Sequence, residues 1–296
     1  MKSILFILSF LFLSFPVVQE TNSYNKNYVD ILVDQAYLGE NFDYIIMKRD
    51  SQKVKAAYFA ENINSIKTKY QEFAKTKNII CYAAAGYLGG NYDVVKNLTI
   101  VSGKTIESNL NKTEFDALVI IYATGGVVVS NLKNGDLKLQ GSGADPNQAL
   151  NLRKNDWDLT FFKEWCAKEK ATVFQTHLLA YNNNLIIAND ADEKAGKTKS
   201  AVRRFLVVGK NSLGKLKHIV INCRKESGLR HASEKCFNFC KTSLGINVTF
   251  MINLDTGAQN VFGAYNADGT VNNSILKDGG VTTLDKAHNL LVYYYE

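Results

Sequence analysis

Near the end of this chain, Val248-Thr249-Phe250-Met251-Ile252-Asn253-Leu254-Asp255-Thr256-Gly257 carries an apolar run into an amide, a carboxylate and a glycine. Alternation and β-branching predict a buried strand over residues 248 to 254, and Gly257 permits the sharp reversal that leaves the Asp255 carboxylate at the strand's end. A carboxylate so placed can catalyse, bind a hydroxyl or bind a metal; it can equally cap its own turn. What lies upstream must decide between these uses.

The elements that would position Asp255 alternate between strands and a few helices. Residues 43 to 50 and 54 to 60 read as a hairpin, and residues 64 to 77 as an amphipathic helix with Ile66, Tyr70 and Phe73 on one face. A buried strand over 78 to 85 follows. The pairs 98–101 with 104–106 and 117–123 with 127–132 read as hairpins turning at Ser102-Gly103 and Thr124-Gly125-Gly126. The second half predicts a helix over 158 to 170 with its cap region at Asp158, and strands over 173–181 and 185–188 around Asn182-Asn183-Asn184. A polar loop over 189–200, strands over 201–208 and 215–222, a helix over 230–243 ended by Leu244-Gly245, and a closing strand over 290–295 complete the chain. Strict βαβ alternation is absent, so the expected class is α+β: a mixed, largely antiparallel sheet with flanking helices.

Composition limits what such a chain can be. Of 296 residues, 46% are hydrophobic and 21% charged, enough to bury a full core. Met1-Lys2, the apolar run from Ile4 to Phe15 and the exit Pro16-Val17-Val18-Gln19 have the order of a secretory signal peptide. The expected organisation is therefore a signal peptide over 1–20, cleaved near Gln19 or Glu20, and a single domain over 21–296. The apolar run is short for a membrane span and no later segment is long and apolar enough, so no stable membrane insertion is expected and the protein should act beyond the membrane, secreted or periplasmic. The formal charge of +7 favours anionic partners. Lysines and arginines are nevertheless interspersed with acids, as in Lys48-Arg49-Asp50, which argues against a nucleic-acid groove. Five cysteines leave at least one unpaired. Cys236 and Cys240, four apart on a helical face with no His-x-x-x-His nearby, do not make a zinc signature and read as small buried apolar residues. No metal site is predicted, and the sequence names no cofactor.

Four segments in order resemble the phosphodiester glycosidase domain family. Cys81-Tyr82-Ala83-Ala84-Ala85-Gly86-Tyr87-Leu88 is similar to its Asn-Gly-Gly-Phe-Phe type strand exit, and Leu98 to Lys104 to the short hairpin after it. Phe174 to Tyr181 resembles the strand before an Asn-Gly turn. Arg203-Arg204-Phe205-Leu206-Val207-Val208-Gly209 resembles the Arg-Thr-Ala-Ile-Gly strand, and Asn253-Leu254-Asp255 the stretch Asn-Leu-Asp-Gly-Gly-Gly-Ser. The similarity covers roughly residues 30 to 295.

The resemblance implies an exported hydrolase that splits a sugar–phosphate linkage, with a phosphate-linked sugar or an anionic envelope glycan as partner. A phosphomonoester is a good leaving group once its charge is neutralised, so an arginine and a carboxylate are the groups required. Arg204, or its neighbour Arg203, would clamp the phosphate, and Asp255 would serve as base or electrostatic stabiliser. His177 and Gln175 alternate on one strand face and would hold the phosphate or sugar hydroxyls. Asn253, Gly86 and Gly257 complete the implied substrate-binding set. The departures are Ala84, where the family has an asparagine, and Thr256-Gly257-Ala258-Gln259, where it has Gly-Gly-Gly-Ser. They support an alternative, a non-catalytic carbohydrate- or envelope-binding protein on the same scaffold.

Overall fold

The computed structural model describes residues 24–296 apart from 51, 63, 90–93, 188–199, 258–259 and 277–283. The predicted signal peptide and most of the loop predicted over 189–200 thus lie outside the described residues.

Among the described residues, three sheets and three α-helices form an α+β fold in which every strand pairing is antiparallel. The largest sheet runs Val29–Tyr37, Glu40–Lys48, Leu216–Ser227, Ala201–Lys210, Asn247–Leu254, Leu178–Tyr181 and Asn184–Leu185 from edge to edge. A second sheet has the order Phe262–Ala264, Asn78–Ala83, Asn289–Tyr295 and Val54–Ala60. The third is Lys104–Glu107, Thr99–Val101, Thr172–Thr176, Ala117–Ile121 and Val127–Asn131. One face of the large sheet (Leu206, Val208, Val220, Ile252, Leu254) packs on residues of the other two sheets, among them Tyr58, Ile80, Val119 and Phe174. Its opposite face (Phe205, Val207, Ile219, Ile221, Met251) is covered by the helix Leu229–Thr242 through Leu229, Ala232, Cys236 and Cys240. The helix Asp156–Glu169 covers the third sheet through Phe162 and Trp165, and Lys67–Ala74 covers the second through Tyr70. Period-2 apolar residues on strands and 3.6-period stripes on helices dictate this layering, because each apolar face must meet another.

Three expectations are corrected. Residues 43–50 and 54–60 do not form a hairpin. Glu40–Lys48 has both edges occupied, by Val29–Tyr37 and Leu216–Ser227, while Val54–Ala60 pairs with Asn289–Tyr295 in another sheet. The single strand expected over 173–181 breaks at His177: Thr172–Thr176 belongs to the third sheet and Leu178–Tyr181 to the first. The helix expected from residue 158 begins at Asp156, because the Asn155 side chain accepts the Trp157 N–H and caps it. Asp158 instead accepts from the Asn151 N–H at 2.7 Å.

All five cysteines are buried and free. Burial pushes the thiols of Cys81 and Cys166 up to about 12, so they pack as unreactive thiols. No helix among the described residues is long and apolar enough to cross a membrane.

Gly209 shows how tightly the Ala201–Lys210 and Asn247–Leu254 strands approach at their bulge. A Cβ there would meet the Asn247 carbonyl oxygen at 2.3 Å and Ile246 Cγ2 at 2.6 Å. Gly209→Ala is expected to destabilise the fold by on the order of 3 kcal/mol, because the obstacle is backbone. Urea unfolding checks this; an unchanged midpoint would mean the strands can part there at no cost.

Candidate functional site

Asp255 follows directly on the Asn247–Leu254 strand and is 6% exposed. Its Oδ1 accepts the Gly257 N–H at 2.9 Å, so the carboxylate does cap its own turn, as Asp-x-Gly allows. It also lies within electrostatic reach of the Arg204 guanidinium and of the Tyr58 and Tyr87 phenols. Burial raises the carboxyl from 3.8 to about 6, against the pull of the Gly257 N–H and the Arg204 charge. Burial likewise lowers Arg204 to about 9 against the attraction of Asp255. Desolvation outweighs attraction for both partners, so the pair is held in place by the fold at a cost to stability.

Arg204 is 1% exposed and closely held. It sits opposite Asn222 and Leu254 in the two flanking strands. Its Nη2 donates to Asn222 Oδ1 at 3.0 Å and Asn260 Oδ1 at 2.9 Å, and Nη1 to the Val261 carbonyl at 3.3 Å. Its guanidinium lies 4.3 Å from the Phe262 ring centre, and Nε has no hydrogen-bond partner. Arg203, on the opposite face by strand alternation, is half-buried and donates from Nε to the Ser227 carbonyl at 3.0 Å. Its charge is felt at the Tyr87 hydroxyl.

Asn253 is buried. Its Nδ2 donates to the Tyr87 hydroxyl, its backbone N–H to the His177 carbonyl at 3.1 Å, and its carbonyl accepts from the Thr176 hydroxyl at 2.6 Å. Asn253 Oδ1 has no partner. These bonds tie the break at His177 to the strand that carries Asp255. The His177 ring packs against Tyr87 and Phe115, with centres 5.3 and 4.5 Å apart, and is hydrogen-bonded to the Glu114 backbone. Burial lowers its pKa while the Glu114 and Asp116 carboxylates pull the other way, so the ring is neutral at pH 7.

Gln175 is placed apart from these groups. Its Oε1 accepts the Asn111 N–H at 2.9 Å and its Nε2 donates to the Asn111 and Phe115 carbonyls, both at 3.1 Å, so its amide clamps the loop under His177. Gly86 is buried at the exit of the Asn78–Ala83 strand, where a Cβ would lie 2.6 Å from the Tyr58 hydroxyl. The turn is fixed by Asn289, whose Oδ1 accepts from the Ala85 and Gly86 N–H groups at 2.9 and 2.8 Å and whose Nδ2 donates to the Gly86 carbonyl at 2.8 Å. Ala84 packs in the apolar cluster with Ile79, Val261 and Leu290. The amide at this strand exit therefore comes from a different strand.

The structure thus brings together Asp255, Arg204, Asn253 and Gly257, while Arg203 and His177, both half-buried, are linked to them through Tyr87. Sequence reasoning missed Tyr58, Asn222, Asn260 and Asn289. The Val54–Ala60 strand alternates buried and half-buried residues throughout, so nothing distinguished Tyr58 from a core tyrosine. A cleft of about 790 Å³ along the Val29–Tyr37 edge strand is lined by Tyr24, Lys26, Asp30, Asn266, Asp268 and Asn272 among others, and by none of these site residues. Among the described residues no three His, Cys, Asp or Glu side chains are grouped to hold a metal.

The Asp255 shift has a measurable consequence. A carboxyl whose folded pKa is raised favours the folded state fully below its unfolded value, 3.8, and that contribution is lost as pH rises through about 6. The wild type should therefore lose on the order of 3 kcal/mol between pH 4 and pH 7.5 relative to Asp255→Asn, an amide of the same shape that does not titrate. The two proteins should unfold alike at pH 4, with the variant the more stable at pH 7.5. Parallel urea curves at every pH would show the carboxyl to be unperturbed.

No family profile and no curated protein matches this sequence. Among solved structures, the chain is similar to the catalytic domain of zebrafish N-acetylglucosamine-1-phosphodiester alpha-N-acetylglucosaminidase, auto-inhibited by its pro-peptide. The likeness has a TM-score of 0.50 at 12% identity and covers 90% of this chain and 82% of that one. The chain shares that domain's fold. A hypothetical protein from Synechocystis is similar over 91% of this chain and 62% of its own, with 9% identity and a TM-score of 0.49. At 12% identity the likeness to the zebrafish domain speaks for the fold alone.

Proposed function

We propose that this protein is an exported hydrolase that cleaves a glycosidic phosphodiester, releasing a sugar and a phosphomonoester. The observation that carries the reading is Asp255: a buried carboxyl poised at about 6 beside a buried guanidinium, at a strand end of a fold shared with a glycosidase catalytic domain. Near neutral pH its ionised form stabilises positive charge at the anomeric carbon or takes a proton from the attacking water, while the phosphomonoester departs with the bridging oxygen. Arg204, with both terminal nitrogens bound to protein acceptors, favours the ionised form of Asp255 through its charge. The half-buried Arg203 meets the phosphate, and neutral His177 lines the same approach. Export rests on the signal-like start Met1-Lys2 and Ile4 to Phe15.

The second reading, a carbohydrate- or envelope-binding protein without turnover, draws support from the closure of Arg204 among Asn222, Asn260 and Val261. Incubating the purified protein with a panel of sugar phosphodiesters and measuring free sugar separates the two. Release by the wild type supports the hydrolase. Retained binding with no release supports the receptor.

A further inference from the structure

Tyr58 carries a hydroxyl that the fold does not use. The residue is 3% exposed, and its ring is stacked on Phe174 with centres 4.5 Å apart and planes 18° from parallel. Its Oη is fully buried without a hydrogen-bond partner. A phenylalanine would fill this place in the core equally well and would spare the fold the burial of an unsatisfied hydroxyl. No side chain fits beside the hydroxyl: a Cβ on Gly86 would lie 2.6 Å from Oη, and the Ala85–Gly86 turn is held there by three hydrogen bonds with Asn289. Two more buried polar atoms without partners, Arg204 Nε and Asn253 Oδ1, belong to residues of the same site. The Asp255 carboxylate lies within electrostatic reach of both the Tyr58 hydroxyl and the Arg204 guanidinium.

We propose that Tyr58 Oη, with Asp255, brackets a hydroxyl group of a bound sugar ring, making Tyr58 a ligand-contacting residue of the Asp255 site. The phenol donates to the hydroxyl oxygen and the carboxylate accepts its proton. Only a group that is both donor and acceptor satisfies the two partners together, which a phosphate oxygen does not. The burial of Tyr58, Asp255 and Arg204, against the half-buried Arg203 and His177, sets the sugar inward and the phosphate at the rim. This orientation rests on the hydrolase reading, whereas the hydroxyl contact also holds for a receptor.

The test compares wild type with Tyr58→Phe. Free glucose, galactose, mannose and N-acetylglucosamine are the probes, followed by ligand-observed NMR titration. At least one should bind the wild type and bind the variant about tenfold more weakly, the loss of one hydrogen bond. In urea without sugar the variant should be at least as stable as the wild type. Binding of none of the four, equal binding by both proteins, or a less stable variant, which would place a structural water on the hydroxyl, each overturns the proposal. Sugar binding that depends on Tyr58 without phosphodiester cleavage would remove the hydrolase and keep this inference. Cleavage with unchanged kinetics in Tyr58→Phe would do the reverse.

Discussion

Asp255→Asn should lower turnover of a sugar phosphodiester by a factor on the order of a hundred or more, well beyond the roughly tenfold weaker binding expected from the one sugar hydrogen bond that the carboxylate accepts. The substitution keeps the shape of the side chain and an oxygen for the Gly257 N–H, which Oδ1 now accepts at 2.9 Å. What it removes is the negative charge, and with it the support for an oxocarbenium-like centre and the capacity to take a proton from water. The variant should at the same time be the more stable protein above pH 6, since the carboxyl is buried against its preference. Lost activity with gained stability marks a residue retained for function rather than for the fold. Equal rates of sugar release by the two proteins would remove Asp255 from the chemistry.

Arg204→Lys should act chiefly on stability. The guanidinium reaches Asn222, Asn260 and the Val261 carbonyl from two nitrogens and lies 4.3 Å from the Phe262 ring centre. An ammonium is a single point of donation and cannot span three acceptors set by two different segments. It would leave buried acceptors unpaired and itself be more strongly desolvated, so a loss on the order of 3 kcal/mol is expected in urea unfolding. Arg203→Lys, half-buried and bonded through Nε to the Ser227 carbonyl, should cost far less stability and appear mainly as a raised KM for the phosphodiester. If Arg204→Lys unfolds like the wild type, the guanidinium is not what joins the strand ends, and Arg204 becomes the better candidate for the phosphate.

Where turn chemistry and side-chain period act over a few residues, the sequence is a sufficient guide. Ser102-Gly103, both at positive φ, join Thr99–Val101 to Lys104–Glu107, and Asn182-Asn183, also at positive φ, join Leu178–Tyr181 to Asn184–Leu185. The helix Leu229–Thr242 and the strand Asn247–Leu254 lie within two residues of their expected bounds, and Asp255 stands just past its strand as its pattern implied. The α+β class followed from the same local signals.

Pairing partners were another matter. The alternation in Val54–Ala60 says that one face is buried but not against which strand, and its sequence neighbour Glu40–Lys48 found partners elsewhere. The apolar run through residues 172 to 181 likewise gave no sign that His177 would divide it between two sheets, because both halves are buried and a chain that changes sheets keeps its hydrophobicity. By itself the sequence thus determined the elements, the class and the carboxylate at a strand's end. Only the tertiary structure decided that Arg204 would be enclosed and Arg203 left half-buried, that Gln175 would serve a loop, and that Tyr58 and Asn289, from strands remote in the chain, would lie near Asp255 and at the Gly86 turn. Burial, desolvation and hydrogen-bond partnership depend on contacts between distant segments, and those are not written in any local pattern of residues.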